Sequence, residues 1–106
     1  MKRRLFPILA LAAMTLASCA QTNAIFQSSN HSNVTSGRTL FLKNCEHCHG
    51  ADARGDEGPD LHNLDWTDGQ IINRIRNGKK GQMTAFAGKL SADQINWIKD
   101  YLRTLK

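Results

Sequence analysis

At 106 residues the chain has room for one domain. Its formal charge is +5, but Lys2, Arg3 and Arg4 supply three of the 14 basic residues, leaving 11 − 9 = +2 for the remainder; that balance excludes a polyanion-binding surface, and no nucleic-acid partner is expected. Hydrophobic residues make up 41% of the sequence, yet the uncharged run 5–17 holds a disproportionate share of them, which excludes a large self-sufficient core in the rest.

The N-terminal segment reads as an address. Three bases, then 13 residues without charge, then small residues form the pattern of an export signal, and the apolar run is too short for a bilayer that needs about 20 residues. Residues 1–18 are therefore expected to be a signal peptide. Leu16-Ala17-Ser18-Cys19 resembles the lipobox of bacterial lipoproteins. That resemblance implies cleavage before Cys19 and acylation of Cys19, a membrane anchor that holds stably when more than one acyl chain is attached. The residues alone also fit an ordinary cleaved signal that contains a cysteine. Arg3-Arg4-Leu5-Phe6 is similar to a twin-arginine signal over too short a match, so general secretion is expected. Ala20 rather than aspartate follows the anchor, which by resemblance to proteobacterial sorting favours the periplasmic face of the outer membrane.

Residues 20–36 contain Gln, Asn, Ser and Thr at most positions, with Ile25, Phe26 and Val34 as the sizeable apolar residues. Such a composition buries too little surface to offset its ordering entropy. Residues 19–36 are expected to be the lipidated cysteine and a flexible polar tether, with a root-mean-square span of about 20–25 Å.

Residues 37–106 carry the expected domain, and its elements are helical. The first helix is expected to start from a cap at Thr35 or Ser36 and run toward His47, with Gly37, Phe41 and Cys45 recurring at i, i+4 and i+8 along one face. The second starts from Thr67, with Gln70 completing a capping box, and stops at Gly78. Its apolar stripe is Ile71, Ile72 and Ile75. The third follows Ser91, with Gln94 in the same boxed position. Ile95, Ile98, Leu102 and Leu105 form its stripe, flanked by Trp97 and Tyr101. No segment alternates with period two, so the fold class is all-α: three main helices with Gly- and Asp-rich loops between them.

Cys45-Glu46-His47-Cys48-His49 is the Cys-x-x-Cys-His attachment sequence for c-type haem. Two thiols one helical turn apart can add to the two vinyl groups, and the adjacent imidazole is placed to ligate the iron. With Cys19 assigned to the anchor, Cys45 and Cys48 form a pair and the odd cysteine count disappears. A structural zinc site takes four ligands, commonly from two such pairs; there is no second pair, and His62 offers no supporting spacing. A thioredoxin-like pair expects a βαβ context, and a disulfide across so short a loop removes little chain entropy. One covalent haem c per chain is the expected cofactor, with Cys45 and Cys48 as thioethers and His49 as proximal iron ligand. Met1 and Met14 leave with the signal, so Met83, 34 residues after His49 on the loop Gly78-Lys79-Lys80-Gly81-Gln82-Met83, is the expected distal ligand. His62 and His31 are its rivals; His62 has a short reach and His31 lies in the tether. His47 is expected to be solvated.

Taken together, residues 37–106 resemble a small class I bacterial cytochrome c. Gly37 and Phe41 match that family's N-terminal helix, which crosses the C-terminal helix at Tyr101-Leu102. Cys45, Cys48, His49 and Gly50 match its haem attachment, and Gly58-Pro59-Asp60-Leu61 its proximal loop. The stretch from Ile75 through Gly78 to Met83 and Phe86 matches its distal-ligand region. The resemblance implies that the Pro59 carbonyl accepts a hydrogen bond from the axial imidazole. It places Pro59, Leu61, Ile75 and Phe86 in the haem pocket, with Leu64, Ile71 or Ile72 and Trp97 as further walls. Trp66 is expected either to reach a haem propionate or simply to pack. The implied function is one-electron transfer, without catalysis, by a monomer working between periplasmic or membrane-bound redox proteins. One departure is Thr84, where many relatives have proline after the methionine. A loop less stiff at that point leaves a second reading, a peroxidase-like or gas-binding haem with a labile Met83. Arg74, Arg76, Lys79, Lys80 and Lys89 gather around Met83, either to face an acidic partner or as an ordinary solvated face. Asp52, Asp56, Glu57 and Asp60 lack the calcium-loop pattern and are read as solvated.

Overall fold

The computed structural model describes residues 21–106, with side chains from residue 29 onward; the expected signal peptide and Cys19 lie outside the described residues. Four helices follow one another: α1 (Gln21–Asn44), α2 (Glu46–His49), α3 (Asp68–Asn77) and α4 (Ala92–Leu102). Among the described residues the only sheet-like pairing is an isolated antiparallel bridge between Lys79 and Met83. No described helix is long and apolar enough to cross a membrane.

The start of α1 corrects the sequence reading. The helix was expected to be capped at Thr35 or Ser36, after a flexible tether; among the described residues it already runs from Gln21 through the polar segment. Thr35 and Thr39 do not cap. Their hydroxyls donate to the carbonyls of His31 and Thr35, four residues back, at 3.0 and 3.1 Å, the pattern of helix-interior residues. No proline or glycine interrupts residues 20–36, and a helix already nucleated by packing at Gly37 and Phe41 extends at one hydrogen bond per added residue. At its other end α1 stops at Asn44, and the attachment motif forms a separate turn, α2, with Cys45 between the two.

The crossing of α1 and α4 is the centre of the fold. Gly37 is buried, and a Cβ built on it would lie 1.8 Å from the Trp97 carbonyl oxygen and 3.1 Å from the Ile98 nitrogen, so the two backbones touch there. One turn on, Phe41 is fully buried and its ring meets Tyr101 with centroids 5.4 Å apart and planes tilted by 54°, a favourable aromatic arrangement. Ile95, Ile98 and Leu102 complete the α4 face, and Ile71 and Ile75 of α3, Phe86 and Leu90 join the same core.

Both later helices start at the expected caps. Thr67 and Ser91 each accept from the backbone N–H three residues on, and the Gln70 and Gln94 side chains accept in return from the cap N–H groups. α3 ends at Gly78, as its sequence implies. α4 ends one turn earlier than its apolar stripe, at Leu102. Leu105 lies beyond it, still packed against the core, and its carbonyl accepts from the Asn63 N–H at 3.1 Å. Residues 50–67 contain no regular element. So long an irregular segment within a compact domain usually serves a site.

Candidate functional site

The site is assembled at the end of α1 and the start of the irregular segment. The Cys48 and His49 N–H groups donate to the Cys45 carbonyl at 3.3 and 3.0 Å, which wraps both thiols and the imidazole onto one turn. Cys45 and Cys48 are free thiols. Burial, with the neighbouring Cys48 as a smaller contribution, pushes the Cys45 thiol up to about 11. Two thiols side by side on one turn, next to an imidazole, fit covalent attachment of a haem.

His49 is the most constrained side chain of the turn. Its Nδ1 lies 2.9 Å from the Pro59 carbonyl oxygen. A carbonyl can only accept, so Nδ1 carries the hydrogen and the Nε2 lone pair is left for a metal. This is the contact that the resemblance to class I cytochromes implies. The reason glycine precedes Pro59 is steric: a Cβ on Gly58 would lie 2.9 Å from Cε1 and 3.0 Å from Nδ1 of the imidazole. The loop is pinned to the attachment turn by Gly58 N–H to the Cys48 carbonyl at 2.6 Å and Gly55 N–H to the His49 carbonyl at 2.8 Å. It turns back through Ala53, fully buried at a φ of 58°, whose carbonyl accepts from the Leu61 N–H.

Met83 is presented by a different element. The chain leaves α3 at Gly78 with a φ of 62°, and a Cβ there would lie 2.3 Å from the Met83 carbonyl oxygen. Lys79 and Met83 then exchange two backbone hydrogen bonds, both 2.8 Å long. Past Met83 the strand of chain runs back along the last turn of α3, where the Phe86 and Ala87 N–H groups donate to the carbonyls of Ile75 and Arg76 at 3.0 and 3.1 Å. Met83 is half-buried and packs against the core beside Ile75 and Phe86, which are buried. Leu61, Leu64 and Ile72 are half-buried against the same cluster.

The rival ligands lie on other parts of the chain. His62 sits with Nδ1 2.8 Å from an Asp60 carboxylate oxygen that also accepts from its backbone N–H. His31 is exposed on α1. His47 is exposed, as expected. Among the described residues no group of three or more His, Cys, Asp and Glu side chains converges as a metal site. Asp60 is exposed, as expected, and the hydrogen bonds from His62 hold its carboxyl below the ordinary value, with Arg54 3.9 Å away. Of the five basic residues near Met83, two lie over rings: Arg74 above Trp66 at 5.3 Å and Lys89 above Phe86 at 5.8 Å. The expected alternatives for Trp66 therefore resolve in part, since its exposed indole is stacked by Arg74.

Paired thiols, an imidazole with a fixed tautomer and an apolar lining with one thioether side chain suit a covalently attached haem. Fold and site together define a c-type cytochrome domain, an electron-transfer haem protein with haem c as its cofactor. The comparisons with known proteins agree. A family model described as cytochrome c oxidase, cbb3-type, subunit III matches residues 32–102, and the chain belongs to that family. The cbb3-type cytochrome c oxidase subunit CcoP of Rubrivivax gelatinosus is 36% identical over 75 residues, covering 65% of this chain and 25% of that protein. The FixP subunit of Bradyrhizobium diazoefficiens is 37% identical over 84 residues, covering 65% and 29%. The chain thus spans little more than a quarter of the length of the curated relatives it matches. Cytochrome cL from Hyphomicrobium denitrificans superposes with a TM-score of 0.65 over 80% of this chain and 58% of that one, at 22% identity, a likeness of fold.

Proposed function

We propose that this chain carries single electrons between redox proteins at the periplasmic face of a bacterial membrane. In this reading Cys45 and Cys48 would hold the haem covalently, and His49 and Met83 would ligate its iron. The observation that carries it is the His49 hydrogen bond to Pro59, which leaves the Nε2 lone pair uncommitted on the same turn as both thiols. When bound, haem supplies the one-electron ferric/ferrous couple. The chain's own residues do the rest. The Pro59 carbonyl keeps the imidazole oriented and its tautomer fixed. Ile75 and Phe86, both buried, would exclude water from the haem, and ligation by an imidazole and a thioether would favour the ferrous state. No substrate bond is made or broken, so the residues need only hold one geometry in both oxidation states.

The ferric protein is expected to be low-spin with the weak sulfur-to-iron charge-transfer band; a high-spin spectrum would favour the gas-binding reading over electron transfer. Met83→His is expected to lower the reduction potential by a sizeable part of the roughly 0.8 V span over which axial ligands set haem potentials, with the haem still covalently attached. A redox titration giving an unchanged potential would remove Met83 from the iron.

The relatives are oxidase subunits, and a membrane-bound oxidase or its electron donor is the class of partner this reading gives to the present chain, acting as a monomer. The lipobox at Cys19 supplies the means of staying near it. Cys19→Ser is expected to move the protein from the membrane pellet, with the outer membrane favoured, to the soluble periplasmic fraction. Wild-type protein already found in the soluble fraction would end the anchor reading.

A further inference from the structure

Arg103 lies just past α4, outside every segment assigned to haem binding, yet its guanidinium joins α4 to the start of α3. Nε donates to the Asp68 carboxylate at 2.8 Å, Nη1 to the Leu64 carbonyl at 3.1 Å, and Nη2 to the Trp66 carbonyl. The second Asp68 oxygen faces the Lys99 ammonium of α4 at 3.5 Å. Asp68 is the first residue of α3, where a carboxylate also complements the helix dipole.

The value of this clamp is in its shape more than its charge. Both side chains are well exposed, Asp68 at 56% and Arg103 at 35%, and an exposed ion pair contributes at most about 1 kcal/mol. The planar fork, however, satisfies two main-chain carbonyls of the segment that leads into α3, which an ammonium cannot do in that geometry. α3 is stiff along its hydrogen-bond ladder, and its far end is bonded to the Met83 segment. Ile75 and Arg76 accept from Phe86 and Ala87, Gly78 abuts the Met83 carbonyl, and Lys79 pairs with Met83. One end of the helix is thus held by Arg103 and the other holds Met83.

We propose that Arg103 is a positioning residue for Met83: by fixing the N-terminal end of α3 against α4, it sets how firmly the methionine is presented to the iron. This rests on the reading of Met83 as distal ligand. Proline is absent after Met83, with Thr84 in its place, so the local loop is less rigid and its hold on Met83 depends more on α3.

The test is a spectrophotometric imidazole titration of the ferric holoprotein, in which imidazole must displace the native distal ligand. Arg103→Gln and Arg103→Lys are expected to bind imidazole roughly three- to thirtyfold more tightly than wild type. The lysine variant keeps the charge and loses the fork, so it should resemble the glutamine variant. Asp68→Asn, which leaves both carbonyl contacts in place, is expected to shift in the same direction by less, and it serves as the readout should the Arg103 variants fail to accumulate. Phe41→Leu, which weakens the α1–α4 crossing instead, is expected to lower the melting temperature without tightening imidazole binding. Arg103 and Asp68 variants with wild-type imidazole affinity, or with no more tightening than Phe41→Leu produces at a comparable loss of melting temperature, would reduce the clamp to a structural staple. Met83→Ala run alongside separates the two claims. If it tightens imidazole binding and the Arg103 variants do not, the clamp is wrong and the ligand stands; if it binds like wild type, the ligand assignment itself fails.

Discussion

Gly37→Ala is expected to lower the melting temperature of the holoprotein by roughly 10–20 °C, although it adds only a methyl group. Alanine is the better helix former, by about 1 kcal/mol in a helix interior, and at an exposed position the substitution would stabilise. At Gly37 the new Cβ would lie 1.8 Å from the Trp97 carbonyl oxygen and 2.5 Å from its carbon. Both are backbone atoms of a regular helix and neither can swing aside as a side chain would. Ordinary contact between such atoms is about 3.5–4.0 Å, so the helices must separate. That opens the contact of Phe41 with Tyr101 and the packing of Ile98, which is 1% exposed. Overpacking against a rigid neighbour costs up to about 3 kcal/mol or more, which outweighs the gain in propensity. A thermal melt followed by far-ultraviolet dichroism decides the matter, and an unchanged midpoint would mean that the crossing has slack the structure does not show.

Gly37 also illustrates how much of the fold is legible in the sequence. Its spacing from Phe41 and Cys45 marks a helix face, but the reason for glycine is a backbone sixty residues away, which only the fold reveals. Caps behave differently. Thr67 with Gln70 and Ser91 with Gln94 meet three residues apart, and the helix starts they imply are where the structure has them. The start of α1 is not encoded locally. Residues 20–36 have the composition of a spacer, and the helix over 21–36 is extended from the packed C-terminal half, so composition alone reads it as coil. Leu105 errs in the other direction. It keeps the i+3 rhythm of α4, while the Thr104 hydroxyl and N–H both turn onto the Tyr101 carbonyl at 2.7 and 2.9 Å and close the helix before it.

The candidate site divides along the same line. Cys45, Cys48 and His49 fall within one stretch of five residues, and their chemistry is written in their order. Gly58-Pro59 can be matched to a proximal loop, but that Gly58 must be bare because an imidazole lies on it is a tertiary fact. Nothing in the sequence pairs Arg103 with Leu64, Trp66 and Asp68, which are 35 to 39 residues away. Nor does it show that Asp60, one of four acids in a loop, binds the His62 imidazole two residues on. Local chemistry is readable; contacts between separate helices and loops need the fold.

Replacing both attachment cysteines, Cys45→Ala with Cys48→Ala, is expected to remove the haem from denatured protein and to abolish the cooperative thermal transition. The argument is one of where the apolar surface lies. The α1–α4 crossing holds most of the fully buried residues, Phe41, Ile95 and Ile98 among them. The irregular segment between α2 and α3 contributes one buried residue, Ala53, with Leu61 and Leu64 only half-buried. It is held by backbone hydrogen bonds, each contributing about 1 kcal/mol net, against an ordering cost of about 1–2 kcal/mol per residue. That segment cannot stay folded on its own contacts, and a domain this small needs a staple. A covalently attached cofactor supplies the missing apolar surface to the half-buried residues on both sides. Without thioethers, helical dichroism from the α1–α4 pair should persist in part while near-ultraviolet dichroism of the tryptophans and tyrosine disappears, the signature of retained helices without fixed packing. A double variant that still melts cooperatively within a few degrees of wild type would show that the chain folds by itself, and the haem would then be a passenger on the fold instead of its core.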